Sequence, residues 1–384
     1  MGTIPTEFTP EKVRRKLRAD GVSSTAVTAA DLFVRKRIGR RVLDPMINRR
    51  IVRVLSRQSL KDRATAIIDV GDRVQDGSTR FVSAIGGGYV LSETGLAMTS
   101  EFEVIQESAD TPDHARQAIM AMLSRELFFG QLPIRGLLRG TPPRDPPVLD
   151  TVAPLIPRYP TNYYHWMVET VPKVRYLQML KQQTGTDVTV LVPDNAPPFV
   201  EETLSRIGWP KKRIEYASEP MYEIRNLIVP PYPERSRAEL DWLRETILDG
   251  VLAEETTVAS GSNIYVSRSN AIARRVVNED AVMEVLEPYG FERYHLEDRS
   301  LAENVRLFNS ADVVVGPHGA GLTDIIFTED CTLVEMFGAR LNKAYEKLSK
   351  TLDVMYDPMY CQTNGVDIVV DTDELSDRIS NLAV

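Results

Sequence analysis

Two histidines stand beside residues that give an imidazole something to do. In "TNYYHWMVETVPKV", His165 and Glu169 are four residues apart, which stacks them on one face of a helix. A carboxylate touching an imidazole fixes its tautomer and raises its basicity, the arrangement a general base needs near pH 7. The alternative is a capped core helix with a satisfied histidine. In "VVVGPHGAGLTDIIF", residues 313–327, a β-branched run that reads as a buried strand enters Gly316, Pro317, His318, Gly319, Ala320 and Gly321. Glycines permit a tight turn there, and "GLTDIIF" reads as the start of a helix, so the turn's outward amides favour a phosphate. His318 can donate a hydrogen bond into the same space. Arg268, following "NIYVS", with Arg274 or Arg275, adds cations that fork onto phosphate oxygens, and Glu335 in "TLVEMF" suits the vicinal hydroxyls of a ribose. Together these groups describe a nucleoside diphosphate site. The loop has neither G-x-G-x-x-G spacing nor the Walker Lys-Ser/Thr pair, which argues against a nicotinamide cofactor and against a triphosphatase.

The elements that must position these residues alternate along the chain. "TAIIDVGD", "GGGYVLSETGLAMTS" and "FEVIQES" predict short antiparallel strands, and 140–160, rich in proline, reads as an extended connector. A helix over 162–183, capped by Asn162 and bent or restarted at Pro172, then leads to strand "DVTVLVPD", helix "FVEETLSRIG" and strand "NLIVPP". That is βαβ order, so the first half should end in a parallel sheet flanked by helices. The charged helix "RAELDWLRETILDGVLAEE" bridges to the second half. There, strand "NIYVSRS", helix "NEDAVMEVLEPYG" with Asn278 as cap, strand "FERYHLE", a helix opened by the Ser300/Glu303 capping box, "DVVVGP" and "TLVEMF" follow one another. Helix "NKAYEKLSKTL", strand "VDIVVD" and a last helix from Thr372 finish the chain. Such alternation predicts an open, mostly parallel sheet whose ligands sit at the strands' carboxyl ends.

Length and charge bound the rest. At 384 residues two domains are expected: 64–236, with the acceptor, and 237–384, with the nucleotide, after a basic arm over 1–63. That arm carries 16 Lys and Arg against 6 Asp and Glu, while the whole chain is at −8. Its Arg-rich, helically spaced runs suit an anionic membrane surface, or else form a solvated helical hairpin; nucleic acid is disfavoured because no aromatic residues interleave the charges. No apolar stretch is long enough to span a membrane and no secretory pattern opens the chain, so a cytoplasmic protein, peripheral at most, is expected. Cys331, Cys361 and four histidines make neither a disulfide framework nor a zinc site. The "DTDE" at 371–374 imitates a metal-binding Asp-x-Asp but precedes a helix, which makes it capping acid.

"TNYYHWMVETVPKV", "YVSRSNAIARRVVNED" and "SLAENVRLFNSADVVVGPHGAGLTDIIFTEDCTLVEMF", in that order, resemble the blocks of glycosyltransferase family 61 over about residues 155–340. The resemblance implies a GT-B fold: two Rossmann-like domains with a cleft between them, here preceded by the basic helical arm. It also implies a nucleotide-sugar donor, held mainly by the second domain, and inversion at the anomeric carbon with no metal or other cofactor required. Asn304 and Asp324 depart from the family's usual residues, which bears on donor identity. His165 with Glu169 would then serve catalysis, and Arg268, Arg275, Gly316, His318, Gly319, Ala320, Gly321 and Glu335 would bind the donor. The acceptor would be a glycan or lipid-linked glycan. A noncatalytic nucleotide- or sugar-binding scaffold of the same fold is the rival reading.

Overall fold

The computed structural model describes residues 45, 52–73, 79–109, 115–128, 145–253, 262–339 and 341–382. The basic arm lies outside them except for residue 45 and 52–63. The chain divides into two compact units, Ala30–Leu243 and Arg244–Val384.

In the first unit the order is β1 (Val54–Leu55), α1 (Arg57–Arg63), β2 (Ala66–Arg73), β3 (Thr79–Leu91), β4 (Ala97–Thr99), β5 (Val104–Ile105) and α2 (Ala115–Phe128). Then come β6 (Val148–Pro154), α3 (Tyr163–Glu169), α4 (Pro172–Thr184), β7 (Thr189–Pro193), α5 (Pro198–Arg206), β8 (Ile214–Ala217) and β9 (Met221–Val229), and last α6 (Arg237–Leu252), which begins in this unit and ends in the second. The strands form one mixed sheet in the order β1-β5-β4-β3-β9-β6-β7-β8, with β2 on β3. The expected antiparallel strands make one side, and the expected parallel strands the other, joined where β9 pairs antiparallel with β3 and parallel with β6.

The connector expected over 140–160 needs correction, because β6 lies inside it and pairs with both β7 and β9. Prolines bound this strand: Pro146 and Pro147 precede it and Pro154 ends it. At strand ends the missing N–H costs little, so a composition that forbids helix still permits a strand. The last residues of the basic run are built into the fold as well. β1 pairs with β5, Leu60 of α1 is buried, and the charges of Arg53, Arg57 and Arg63 meet Glu101, Glu103 and Glu107.

Helix α2 packs Ile119, Met122 and Leu123 into an apolar cluster with Leu96, Met98 and Val104. Glu126 is buried beside them; its Oε1 accepts from Thr94 Oγ1 at 2.6 Å, and its Oε2 has no partner among the described residues. Burial pushes this carboxyl up to about 8. A carboxyl raised above its unfolded value contributes stability that is complete below the unfolded pKa and is lost as pH rises through about 8. Glu126→Gln keeps an acceptor for Thr94 and removes the titration. Its thermal midpoint should stay level from about pH 5 to about pH 8, whereas that of the parent falls; calorimetry at several pH values checks this.

The second unit contains β10 (Ser262–Val266), α7 (Glu279–Leu286), β11 (Phe291–Tyr294), α8 (Leu301–Asn309), β12 (Ala311–Pro317), β13 (Thr332–Phe337), α9 (Ala344–Leu352), β14 (Met355–Tyr360), β15 (Gln362–Asn364), β16 (Asp367–Val369) and α10 (Thr372–Leu382). Its main sheet is wholly parallel, in the order β11-β10-β12-β13-β14. Val314, Val315, Leu333 and Val334 are fully buried, as a parallel sheet covered on both faces requires. From β10 the chain crosses to β11 on one side and returns to β12 on the other. The crevice where that reversal occurs, at the carboxyl ends of β10 and β12, is where open α/β sheets bind ligands.

Three local expectations change here. The helix predicted from "GLTDIIF" is a 3₁₀ stretch over Ala320–Phe327, with fewer residues per turn and poorer alignment of its peptide dipoles. Asn278 does not cap α7 through its side chain; that amide instead donates to Val370 O at 2.8 Å and accepts from Val370 N at 3.0 Å. The strand in "VDIVVD" forms a separate hairpin with β15. The Ser300/Glu303 capping box is present on α8, and Asp371 Oδ1 accepts from the amides of Asp373 and Glu374 as a capping acid does.

Candidate functional site

Each unit carries one of the two histidines, and each histidine is held by a glutamate. In the first unit Asn162 stops the chain from fraying ahead of α3 by accepting from His165 N at 3.3 Å. One helical turn then brings His165 Nδ1 to 2.6 Å from Glu169 Oε2. Glu169 is nearly buried, and its other oxygen accepts from Arg235 Nη1 at 3.1 Å. The rings of Tyr159 and Tyr164 flank the imidazole, with centroids 4.8 and 5.6 Å away. With a carboxylate on Nδ1, the neutral imidazole carries its proton there and presents Nε2 as the acceptor. Nε2 meets no partner among the described residues, and the His165 side chain is 26% exposed.

In the second unit the strand ends bring Arg268, after β10, against the loop after β12. A Cβ placed on Gly319 would fall 2.1 Å from Arg268 Nη1 and 2.8 Å from its Cζ, so glycine is what lets the guanidinium lie on that backbone. Gly316 is similarly crowded, its virtual Cβ 3.0 Å from Val266 Cβ. Arg268 forms no ion pair among the described residues; its Nη2 donates to Ala273 O at 3.3 Å, and its Nε is buried with no acceptor. Burial pulls this guanidinium below its ordinary value, opposed by Tyr345 and Glu297, and an arginine so placed still keeps its charge. The N–H groups of Gly319, Ala320 and Gly321 beside it also meet no acceptor among the described residues. A confined cation and free amides at a sheet's switch point together suit an oxyanion.

His318 belongs to the same corner. Its backbone N donates to Met336 O at 3.0 Å, its ring stacks on Phe337, and its Nδ1 lies 2.5 Å from Glu335 Oε1. Glu335 is fully buried, and its Oε2 accepts from Tyr356 OH at 2.7 Å. The expectation that Glu335 meets a ribose is therefore corrected, since both oxygens are engaged and the carboxylate serves to orient His318. Arg275 is also engaged: its Nε and Nη2 reach Asp367 Oδ2 at 3.2 and 3.1 Å, and its backbone N reaches Oδ1. This pairing ties the loop after β10 to β16, so Arg268 is the arginine of the two whose charge remains available.

Two contributors escaped the sequence reading. Tyr356 sits in β14, which was missed because Pro358 interrupts "MYDPMY"; as the edge strand of its sheet, β14 tolerates that proline. Arg235 immediately precedes Ser236 and Glu239, whose side chains and amides cap each other at the start of α6. That Ser-x-x-Glu spacing was a legible helix-start signal, although nothing local tied Arg235 to Glu169. Among the described residues no three His, Cys, Asp or Glu side chains converge as a metal site would, and no helix is long and apolar enough to cross a membrane.

Comparison with known proteins bears on these two clusters. The family model Glycosyltransferase 61 matches residues 163–334, a span that begins in α3 and ends in β13. It takes in His165, Glu169, Arg268, Arg275 and the loop from Gly316 to Gly321. No curated protein matches the chain.

Proposed function

We propose, from the premise that this chain carries a glycosyltransferase family 61 domain and is a glycosyltransferase, that it moves a sugar from a nucleotide-sugar donor to a glycan or lipid-linked glycan with inversion. The two units would be the lobes of a GT-B enzyme, the second taking the donor and the first the acceptor. The observation that carries this reading is Arg268, a confined cation with no carboxylate partner among the described residues, lying on Gly319 beside free amides.

In the proposed reaction the acceptor oxygen attacks the anomeric carbon as its proton passes to His165 Nε2. The bond from that carbon to the donor's phosphate oxygen breaks, and its electron pair leaves on the diphosphate. Arg268 and the amides of Gly319 to Gly321 meet the charge that builds there, which in such sites is usually the largest catalytic term. His318, held through Nδ1 by Glu335, turns Nε2 toward the same corner. Fixed cations of this kind suit a diphosphate without a required metal. Cell-surface polysaccharide or glycoconjugate synthesis is the setting that matches such an acceptor. Docking on an anionic membrane would fall to the part of the basic run before residue 52, because later arginines already face glutamates.

Thermal unfolding against a panel of nucleoside diphosphates tests the donor side. At a hundredfold excess over Kd, one of them should stabilise the protein by about 2.7 kcal/mol, a shift of several degrees. The matching nucleotide-sugar should then release that diphosphate when a glycan acceptor is added. No shift with any diphosphate, together with no release, would refute the proposal.

A further inference from the structure

We infer that Arg235 is a positioning residue for the His165–Glu169 pair, held in place by a buried ion pair between Arg80 and Glu239; the inference rests on reading His165 as the base. Arg235 adopts φ +60°, the left-handed region that suits glycine and costs any other residue strain. Strain of this sort persists where the surroundings over-determine it and the side chain has a task. Here the task is visible. Arg235 Nη1 takes Glu169 Oε1 while Oε2 of the same carboxylate takes His165 Nδ1, and the Tyr164 side chain lies beside the guanidinium. With both oxygens engaged, Glu169 cannot turn away from the ring.

The backbone around Arg235 is fixed from beneath. Glu239, fully buried, accepts from the amides on either side of Arg235, Glu234 N at 3.3 Å and Ser236 N at 2.9 Å. The same carboxylate accepts from Tyr176 OH and, at 2.8 Å, from Arg80 Nη1, while Arg80 Nη2 donates to Tyr232 O. Buried ion pairs contribute little net stability once desolvation is counted, so what this one provides is a defined path for residues 232–236. The chain of contacts runs Arg80, Glu239, backbone 234–236, Arg235, Glu169, His165. Among the described residues, the charged and titratable groups in contact with the imidazole or its partner are Glu169 and, beyond it, Arg235, with Tyr159 and Tyr164 on its flanks.

Arg235→Gly and Arg235→Lys separate this role from a merely structural one. Glycine relieves the strain at φ +60°, which offsets part of what losing the Glu169 partner costs, so the variant should stay folded with a midpoint near the parent's. Yet in long-range ¹H–¹⁵N spectra His165, one of four histidines, should lose its single Nδ1–H tautomer. The glycine variant's kcat should fall about ten- to a hundredfold with donor KM unchanged, and lysine, which returns a cation, should restore the single tautomer and part of kcat. An unmoved tautomer in the glycine variant overturns the inference whatever its midpoint. If His165→Ala were fully active, the base assignment would fall, while the spectra would still report whether Arg235 fixes the pair.

Discussion

Arg268→Met should abolish measurable nucleoside diphosphate binding while leaving the ligand-free protein at least as stable as the parent. The two effects share one cause. A guanidinium that gives two charge-assisted hydrogen bonds to phosphate oxygens supplies about 1.5–3 kcal/mol for each, so its loss weakens affinity by roughly a hundredfold or more. Without ligand the same guanidinium is a confined cation with, among the described residues, one long bond to Ala273 O and no acceptor for its Nε. Methionine keeps the apolar stem and removes a charge whose burial is uncompensated among the described residues. Titration calorimetry with the best diphosphate from the panel, alongside thermal unfolding without it, measures both halves. Unchanged affinity, or a large drop in midpoint, would mean that Arg268 is a structural residue and that the diphosphate lies elsewhere.

What the sequence made legible follows from distance along the chain. The run of three valines entering a glycine loop is local, and so is the four-residue step from His165 to Glu169; both take the expected form, β12 with its loop and α3 with its hydrogen-bonded pair. Contacts made by folding could not be read in this way. Glu335 finds His318 on the neighbouring strand end and Tyr356 on the next strand, and only the parallel register of β12, β13 and β14 brings the three together. A carboxylate at a strand's end was therefore taken for a ligand group when it is a partner of the imidazole. Arg275 and Arg268 looked alike in sequence, and Asp367, 92 residues on, distinguishes them by claiming one. The proline-bounded β6 and the proline-bearing β14 were lost for a common reason. Composition penalises proline everywhere, whereas a sheet penalises it only where a ladder donor is needed.

His165→Ala should lower kcat for sugar transfer by roughly a hundred- to ten-thousandfold, the usual contribution of a positioned general base, and leave nucleoside diphosphate affinity unchanged. The fold should hardly notice. His165 is partly exposed, and the cap that starts α3 uses the backbone N of residue 165, which alanine retains. Glu169 keeps Arg235 as its partner, so no buried carboxylate is left without a counter-charge. A fall in kcat without a change in donor affinity is the signature of an interaction made only in the transition state, here proton removal from the acceptor as its oxygen bonds to the anomeric carbon. Steady-state kinetics with varied donor, read through diphosphate release, separates the two constants. A variant that transfers at the parental rate would take the base away from His165, and with it the reason for the contacts that hold its ring.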